Sequence, residues 1–327
     1  MITLITGAAG FIGSHLAEEL TARSRKVRCL VRESDNLDYL KGLGAEFAFG
    51  DLADKDSLKK AVEGAGIVYH LAAIARPMAI PDRLYFKVNA DGTRNLLEAC
   101  VGKNLRKIIH MSSISAVGPS KGGRPVSETS LPDPVDVYGK SKLAAEKIVF
   151  EFVKNYNLPV VLLRPPVVFG PRDFEVLKFF KIIKKRFFPV RENSQGRFEF
   201  CYVRNLVQAC LLAEEKGEIG QIYHISNERP YTVKEIKEEI ALALGVKPFR
   251  IFLPDWLLKT AGWAMEILGG LFHFRPPFSK NTVVWMTSDF WVSDISKAKE
   301  KLGYCAGYSL KEGIEETVKW YKDNNLL

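Results

Sequence analysis

The first half of the chain alternates short β-branched segments with helical segments, and this alternation restricts the fold more than any other feature. Apolar strand patterns occupy residues 2–6, 27–31, 46–49, 67–71, 107–111 and 160–163. Helical patterns lie between most of them, near residues 11–22, 55–63, 83–102 and 136–156. Strands and helices in this order predict right-handed crossovers and parallel pairing. The predicted fold class is therefore α/β, with a doubly wound parallel sheet.

The pattern changes beyond about residue 170, where helices and short strands are separated by proline and glycine, as at Gly170-Pro171 and Pro276-Pro277. We predict a sheet domain over residues 1–170. A smaller C-terminal cap over residues 171–327 is expected to bind mainly substrate, with some of its segments returning to the sheet domain.

Composition excludes several classes of protein. The 327 residues are 47% hydrophobic, which supplies a large core and excludes a disordered chain. The five cysteines are odd in number and scattered, which argues against a disulfide framework and against a CxxC zinc motif. The N-terminal sequence lacks the features of a signal peptide. We therefore expect reduced thiols, no metal site and a cytoplasmic location.

The net charge of +9 is concentrated in one run, which contains Lys178, Lys181, Lys184, Lys185 and Arg186. Apolar residues between these cations predict an amphipathic helix with a basic outer face. A solvated helix face is the favoured interpretation, and an anionic surface or substrate is the alternative. No nucleic-acid-binding motif accompanies the run, so we expect no nucleic-acid partner.

Residues 254–274 form an apolar stretch that raises the question of a membrane. Asp255, Lys259 and Glu266 interrupt it, which argues against a spanning helix because such a helix needs about 20 predominantly apolar residues. The favoured interpretation is a cap helix over the substrate pocket. The alternative is peripheral membrane contact through an interfacial helix that takes an apolar substrate from a bilayer.

A glycine-rich turn follows the first predicted strand and opens the first predicted helix. Gly7, Gly10 and Gly13 carry this pattern, with Phe11 and Ile12 between the last two glycines. Glycines let the backbone approach a pyrophosphate, and the helix N-terminus offers free N–H groups to it. The GxxGxxG spacing differs from the usual GxGxxG of dinucleotide-binding proteins, but its position after the first strand favours the same role.

The end of the second predicted strand bears on the choice of dinucleotide. An acidic residue there binds the adenine ribose of NAD(H), and none is present at Val31 or Arg32. Arg32 suits the 2′-phosphate of NADP(H), so we predict NADP(H), with NAD(H) as the alternative. Asp35 lies close enough in sequence to contact a ribose hydroxyl.

Tyr138 and Lys142 are four residues apart in a predicted helix and therefore share one face. A neighbouring ammonium favours the phenolate, so we expect Lys142 to lower the pKa of Tyr138 and fit it for acid–base chemistry. Ser113, at the end of the fifth predicted strand, is placed to hydrogen-bond the same substrate oxygen.

Together these residues resemble the extended short-chain dehydrogenase/reductases, a group within the NAD-dependent epimerase/dehydratase superfamily, over nearly the whole chain. The resemblance implies a Rossmann-type fold. It also implies that the cofactor is bound by Gly7, Gly10, Phe11, Ile12, Gly13, Arg32, Asp51, Leu52, Leu71, Ala72, Ala73, Tyr138, Lys142, Pro165 and Val168.

The resemblance assigns roles to the catalytic residues. Tyr138 exchanges the proton, Lys142 lowers the pKa of Tyr138 and binds the nicotinamide ribose, and Ser113 polarises the carbonyl group. Ser113 is chosen over Ser112 and Ser115 because the family's catalytic Ser or Thr stands three residues before a turn like Ala116-Val117-Gly118. Asn89 is expected to orient a helix and a strand.

Within this family the sequence most resembles the 3β-hydroxysteroid dehydrogenase and dihydroflavonol reductase branches. We therefore expect an NADP(H)-dependent oxidoreductase that interconverts a ketone and a secondary alcohol on an apolar small molecule. Family members often pair, so a homodimer is expected. An apolar substrate also suits the aromatic residues of the cap, which are Trp256, Trp263, Phe272, Phe274, Trp285 and Trp291.

Other activities of the family remain as alternatives. A nucleotide-sugar epimerase or reductase is the first, with Arg172 or Arg197 binding the diphosphate. A non-catalytic NADP-sensing protein is the second, although a sensor has no need for Ser113, Tyr138 and Lys142 together. Dehydratases carry an acidic pair just after the catalytic Ser or Thr, where this chain has Ile114 and Ser115.

Overall fold

The computed structural model describes residues 1–75, 80–191, 196–247, 249–253, 260 and 290–327. The helices are α1 (Phe11–Ala22), α2 (Lys55–Val62), α3 (Asp82–Phe86), α4 (Gly92–Cys100), α5 (Val137–Tyr156), α6 (Leu177–Lys184), α7 (Val203–Lys216), α8 (Val233–Leu244) and α9 (Leu310–Asp323). The strands are β1 (Ile2–Thr6), β2 (Lys26–Val31), β3 (Glu46–Phe49), β4 (Ala65–His70), β5 (Lys107–Met111), β6 (Val160–Arg164), β7 (Val167–Phe169), β8 (Phe187–Arg191), β9 (Arg197–Phe198), β10 (Phe200–Tyr202), β11 (Ile222–His224), β12 (Tyr231–Thr232), β13 (Phe249–Leu253) and β14 (Phe290–Trp291).

Seven of these strands form one parallel sheet in the order β11-β6-β5-β4-β1-β2-β3. The chain runs outward from β1 through β2 to β3 and then returns to β4 on the other side of β1. The strand order therefore reverses between β1 and β4, which is where a doubly wound sheet binds its ligand. The predicted Rossmann-type fold is confirmed.

Apolar side chains cover both faces of this sheet. One cluster joins α1 and α7 to the sheet and includes Leu16, Leu20 and Leu206. The other joins α2, α4 and α5 to the opposite face, through residues such as Leu58 and Leu96. Two buried faces leave the ends of the strands as the place where polar chemistry is exposed to a ligand.

Segments after residue 170 both extend the sheet and build a second region. Strand β11 pairs with β6 in the sheet. The shorter strands pair as β10 with β7, β12 with β9, β9 with β14, and β13 with β8. Helices α6, α8 and α9 share a further apolar cluster. Residues 254–259 and 261–274, together with Pro276-Pro277 and Trp285, lie outside the described residues.

The basic run forms the predicted helix as far as Lys184, and Lys185 and Arg186 follow the end of that helix. In α6, Leu177, Phe180 and Ile183 are buried, while Lys178 and Lys181 are exposed.

None of the helices in the described ranges is long and apolar enough to cross a membrane. Among the same residues no group of His, Cys, Asp or Glu side chains is arranged to hold a metal ion.

The helix predicted near residues 83–102 is interrupted in the structure. Between α3 and α4, Lys87–Asp91 forms a π-helical turn. Such turns insert an extra residue and often occur at functional sites. Here the turn contains Asn89, whose side chain is buried.

Candidate active site

The predicted site residues follow the carboxyl ends of the central strands. Gly7 comes directly after β1, Arg32 after β2, Leu71 after β4, and Pro165 after β6. Asp51 and Ser113 each come two residues after a strand, β3 and β5 respectively. Because the strands are parallel, all of these positions lie on one edge of the sheet, which spans the reversal between β1 and β4.

The glycine-rich turn leaves no room for side chains. Gly7 has a φ of +72°, and a Cβ there would lie 2.7 Å from the backbone nitrogen of Ala72. A Cβ on Gly13 would lie 2.1 Å from the carbonyl oxygen of Gly7. Gly10 begins α1 with no side chain capping its first N–H groups. A close turn with uncapped donors fits the pyrophosphate of a dinucleotide.

Arg32 is held by a carboxylate near the end of β2. Its guanidinium Nη2 lies 2.8 Å from Oδ1 of Asp35, and its backbone N–H donates to the other oxygen of that carboxylate. The arginine side chain is 62% exposed and that of Asp35 18% exposed. Arg32 therefore presents a cation to this edge of the sheet, with a carboxylate beside it.

The other residues predicted to bind the cofactor line the same edge. The Asp51 carboxylate accepts from the backbone N–H of Ala53, which fixes the turn after β3. Leu52 is buried against Gly92 of α4. Ala72, in the segment after β4, donates its backbone N–H to Oγ1 of Thr6.

Ser113 and Tyr138 are brought together by a close contact between two helices. Ser113 begins a short 3₁₀ helix, Ile114–Ala116, and its hydroxyl accepts from the N–H of Ser115. A Cβ on Gly139 would lie 2.2 Å from the carbonyl oxygen of Ser115, so only glycine permits this approach of α5. The sequence prediction did not include Gly139, although it stands directly after Tyr138 in the chain.

Burial raises the pKa of Tyr138 to about 12, and a hydrogen bond with Ser113 partly opposes this shift. Asp136, at the start of α5, raises it further. We predicted a lowered pKa from the charge of Lys142, and in this structure the loss of hydration dominates instead. Tyr138 is therefore a protonated phenol at neutral pH.

Lys142 is buried on the same helix. Its ammonium donates to the backbone carbonyl of Met111 over 2.6 Å, which ties α5 to the end of β5. Burial lowers the pKa of Lys142 to about 8, while Glu146 raises it. His70 and His110 lie close by with their pKa values lowered by burial and by the charge of Lys142, so Lys142 is the cation of this group.

A buried ion pair supports the catalytic helix, and the sequence prediction missed it. Glu146 accepts from both Nε and Nη2 of Arg164, at 2.8 and 2.6 Å, and both side chains are almost fully buried. The hydroxyl of Ser112 also donates to Glu146. This bond commits Ser112 to a structural contact and leaves Ser113 beside Tyr138. Glu146 could have been noticed in the sequence, because it lies four residues after Lys142, as Lys142 lies four residues after Tyr138, which places all three on one face of the helix.

Asn89 connects the segment after β4 to the catalytic helix. Its amide group accepts from the N–H of Ile74 and donates to the carbonyl of Ile74 and to the hydroxyl of Ser141. That hydroxyl donates in turn to the carbonyl of Tyr138. The contacts match the orienting role predicted for Asn89.

An apolar cluster lies next to Ser113, on the side formed by the later part of the chain. Pro165, whose carbonyl accepts from the N–H of Ile114, joins this side to β6. Val168 lies in β7, opposite Cys201 of β10. The cluster itself consists of Ile114, Val117, Phe198 and Trp291, with Val126, Phe200 and Val233 packed against it.

A buried carboxyl group follows Phe198. Glu199 is 3% exposed and accepts from the hydroxyl of Ser293 over 2.6 Å. Burial raises its pKa to about 7, and hydrogen bonds from Ser293 and Ser226 partly oppose that shift. Sequence spacing gave no sign of this group, because its partners lie far along the chain.

Comparisons with known proteins agree with this geometry. Residues 3–226 match the model of the NAD dependent epimerase/dehydratase family. Sterol demethylase protein B of Methylococcus capsulatus is 29% identical, and the alignment covers 100% of both chains. The 3beta-hydroxysteroid-dehydrogenase/decarboxylase isoform 1 of Arabidopsis thaliana is 27% identical over 96% of this chain and 78% of its own length.

Solved structures show the same fold. The UDP-glucose 4-epimerase of Thermotoga maritima, determined with UDP-glucose, superposes with a TM-score of 0.82 at 26% identity. The superposition covers 99% of this chain and 100% of that one. The chain therefore belongs to the NAD dependent epimerase/dehydratase family and is an NAD(P)-dependent oxidoreductase of the extended short-chain dehydrogenase/reductase type.

Proposed function

We propose that the protein interconverts a ketone and a secondary alcohol on an apolar, ring-bearing small molecule of steroid-like or flavonoid-like character, with NADP(H) as cofactor. The observation that carries this proposal is the similarity, over 96% or more of this chain, to proteins named for a sterol and for 3beta-hydroxysteroids. The buried cluster next to Ser113, which includes Phe198 and Trp291, makes the surroundings of that serine apolar, as such a substrate requires.

The glycine-rich turn and the N-terminus of α1 would hold the dinucleotide, which supplies the hydride when bound. Tyr138 would donate a proton to the carbonyl oxygen as the ketone is reduced. Its pKa of about 12 keeps that proton in place at neutral pH. Ser113, beside Tyr138, would hydrogen-bond the same oxygen as negative charge develops there.

Lys142 would act through its charge and its position. Below pH 8 it is an ammonium group, held in place by the carbonyl of Met111. A cation at this point favours the phenolate of Tyr138, which the reverse reaction requires. Alcohol oxidation requires deprotonated Tyr138, whose pKa of about 12 lies far above neutrality, so its rate should increase as the pH rises, whereas ketone reduction uses the protonated phenol and should not need a higher pH.

The preference for NADP(H) rests on Arg32. Its exposed guanidinium offers charge-assisted hydrogen bonds to a 2′-phosphate, while Asp35 beside it would repel that phosphate. Fluorescence titration with NADPH and with NADH measures how attraction by Arg32 and repulsion by Asp35 together set the affinity for each nucleotide. Arg32→Ala should weaken NADPH binding by about tenfold and leave NADH nearly unchanged, whereas Asp35→Ala should strengthen NADPH binding. Equal losses for both nucleotides in Arg32→Ala would contradict the assignment.

A nucleotide-sugar epimerase is the second candidate, favoured by the similarity to the Thermotoga enzyme. Each of the two arginines predicted to bind its diphosphate has an acidic neighbour in this structure. Arg172 pairs with Glu18 and lies over the ring of Tyr39, and Arg197 lies 3.9 Å from Glu235.

Turnover assays distinguish the two candidates. Purified protein would be supplied with NADPH and a set of steroid and flavonoid ketones, and in parallel with UDP-glucose. Consumption of NADPH with the apolar ketones is the expected result. Tightly retained NAD together with epimerisation of UDP-glucose would establish the second candidate instead.

A further inference from the structure

We propose that the outer face of α6 docks this enzyme onto the surface of an anionic lipid bilayer. The docking face is defined here as the exposed cations of α6, which are Lys178, Lys181 and Lys184, the exposed Lys185 and Arg186 that follow the helix directly, and the exposed ring of Phe179. Membrane docking is a property beyond the proposed reaction, and it can be measured without enzyme turnover.

The helix is two-sided. Leu177, Phe180 and Ile183 are buried in the apolar cluster that α6 shares with α8 and α9. That packing fixes the orientation of α6 and turns the docking face outward. The basic residues therefore form a fixed surface of one sign.

Most of this positive charge is not neutralised by the protein. Lys178 pairs with Glu175 over 2.8 Å. Within the described ranges, no ion pair involves Lys181, Lys184, Lys185 or Arg186. Unpaired cations clustered on one helix are attracted to anionic headgroups, whose surface potential extends over about a Debye length.

Apolar side chains accompany the charge. Phe179 is 52% exposed within the docking face, and Phe174, just before the helix, is 41% exposed. Exposed aromatic rings among lysines are the composition of helices that lie in a membrane interface. A nucleic-acid surface would instead favour arginine forks and polar side chains around the cations. The observations therefore favour a bilayer.

The docking face lies over an apolar cluster that extends toward the candidate active site. The cluster beneath α6 contains Phe169 and Tyr202, at the ends of β7 and β10. Val168, predicted to lie against the nicotinamide, packs on the same cluster. The apolar cluster beneath α6 thus includes a contact with a residue that is predicted to lie against the nicotinamide.

Vesicle sedimentation tests the proposal with the full-length protein. Vesicles of phosphatidylcholine alone would be compared with vesicles that contain about 30% phosphatidylglycerol, at low and at physiological salt. We expect binding to the anionic vesicles only, and a loss of binding as salt increases. Equal binding to both kinds of vesicle, or none to either, would overturn the proposal.

Charge removal tests the docking face itself. The triple variant Lys181→Gln, Lys184→Gln, Lys185→Gln should bind anionic vesicles roughly a hundredfold more weakly, since each cation contributes about fivefold. Binding equal to that of the wild type would assign the contact to another surface. The substituted side chains are exposed, and circular dichroism would check that the variant is folded.

A matched control removes the same charge elsewhere. The variant Lys55→Gln, Lys59→Gln, Lys60→Gln alters three exposed lysines of α2 and should retain binding. A loss equal to that of the α6 variant would show a response to net charge alone and contradict a specific face.

Two further measurements address the ring and the competing partner. Phe179→Ser keeps all the charges and should weaken vesicle binding by about tenfold, because an inserted ring is lost. Binding of duplex DNA that is tighter than vesicle binding at the same salt would overturn the bilayer in favour of a nucleic acid.

Discussion

The glycine-rich turn after β1 and the region around Glu199 are held by different kinds of contact. In the turn, Gly7 and Gly13 approach other backbone atoms so closely that no side chain fits. Around Glu199, side chains from distant segments meet, since Ser293 is 94 positions along the chain from the carboxyl group that it contacts. The first region depends on backbone shape, and the second on side-chain chemistry.

This difference implies that substitutions in the two regions have different consequences. At Gly7 and Gly13 even a methyl group meets backbone atoms, whereas the contacts around Glu199 are between side chains and can change with each replacement. Four substitutions test whether the two regions and the residues between them separate in this way.

Tyr138→Phe should have the largest effect. Removal of the hydroxyl eliminates the proton donor, and turnover should fall by about 10²- to 10⁴-fold. Affinity for NADPH should stay within a few-fold of the wild type, because the glycine-rich turn is untouched. Steady-state rates and a fluorescence titration measure the two quantities. Activity that survives the change would mean that another group exchanges the proton.

Ser113→Ala should lower turnover by about 10²- to 10³-fold, since it removes a donor to the developing negative charge. Ser112→Ala is the matched control, because the hydroxyl of Ser112 already donates to Glu146. That variant should retain most activity and lose about 1 kcal/mol of stability. The reverse ranking of the two rates would identify Ser112 as the catalytic serine.

Gly13→Ala should affect the cofactor rather than the chemistry. The added Cβ would lie 2.1 Å from the carbonyl oxygen of Gly7, so the turn must shift. Overpacking of about 1–3 kcal/mol corresponds to a loss of NADPH affinity of about tenfold to a hundredfold. Gly307→Ala is the control, as a Cβ there meets nothing closer than 3.8 Å. Similar losses in both variants would show that the effect is not local.

Glu199→Gln should change stability with pH and produce the smallest effect. The pKa of about 7 in the folded protein exceeds the usual value of 4.5, so the native state holds the proton more tightly than the unfolded chain. That contribution is complete below pH 4.5 and is lost as the pH rises through 7. The stability of the variant relative to the wild type should grow by about 1 kcal/mol between pH 6 and pH 8.5. Urea unfolding at the two pH values measures it, and a constant difference would exclude a titrating Glu199.

Much of the sheet could be predicted from the sequence, since each central strand is a short apolar run. The prediction at residues 46–49 coincides with Glu46–Phe49, and that at 107–111 with Lys107–Met111. The π-helical turn around Asn89 was not predicted, because apolar periodicity does not show an inserted residue within a helix.

Some features of the candidate site could likewise be predicted from the sequence, and others could not. Tyr138 and Lys142 could be recognised from the sequence because they lie one helical turn apart. The glycine-rich turn could be recognised from the spacing of its glycines. The direction of the Tyr138 pKa shift could not be predicted, since it depends on burial by segments that the motif does not contain. The partners of Glu199 could not be predicted either, because spacing carries no information on contacts across 94 positions.

The buried pair of Glu146 and Arg164 restricts how this protein can diverge. Both charges lie in the interior and pair with each other, so a single replacement at either position leaves a buried ion without its main partner and costs about 3–5 kcal/mol. Replacement of both by apolar residues removes that penalty. Descendants of this chain should therefore carry both residues or neither. A protein with only one of the two residues replaced is expected to fold poorly. Helix α5, which carries Glu146, and strand β6, which ends at Arg164, are therefore expected to change together.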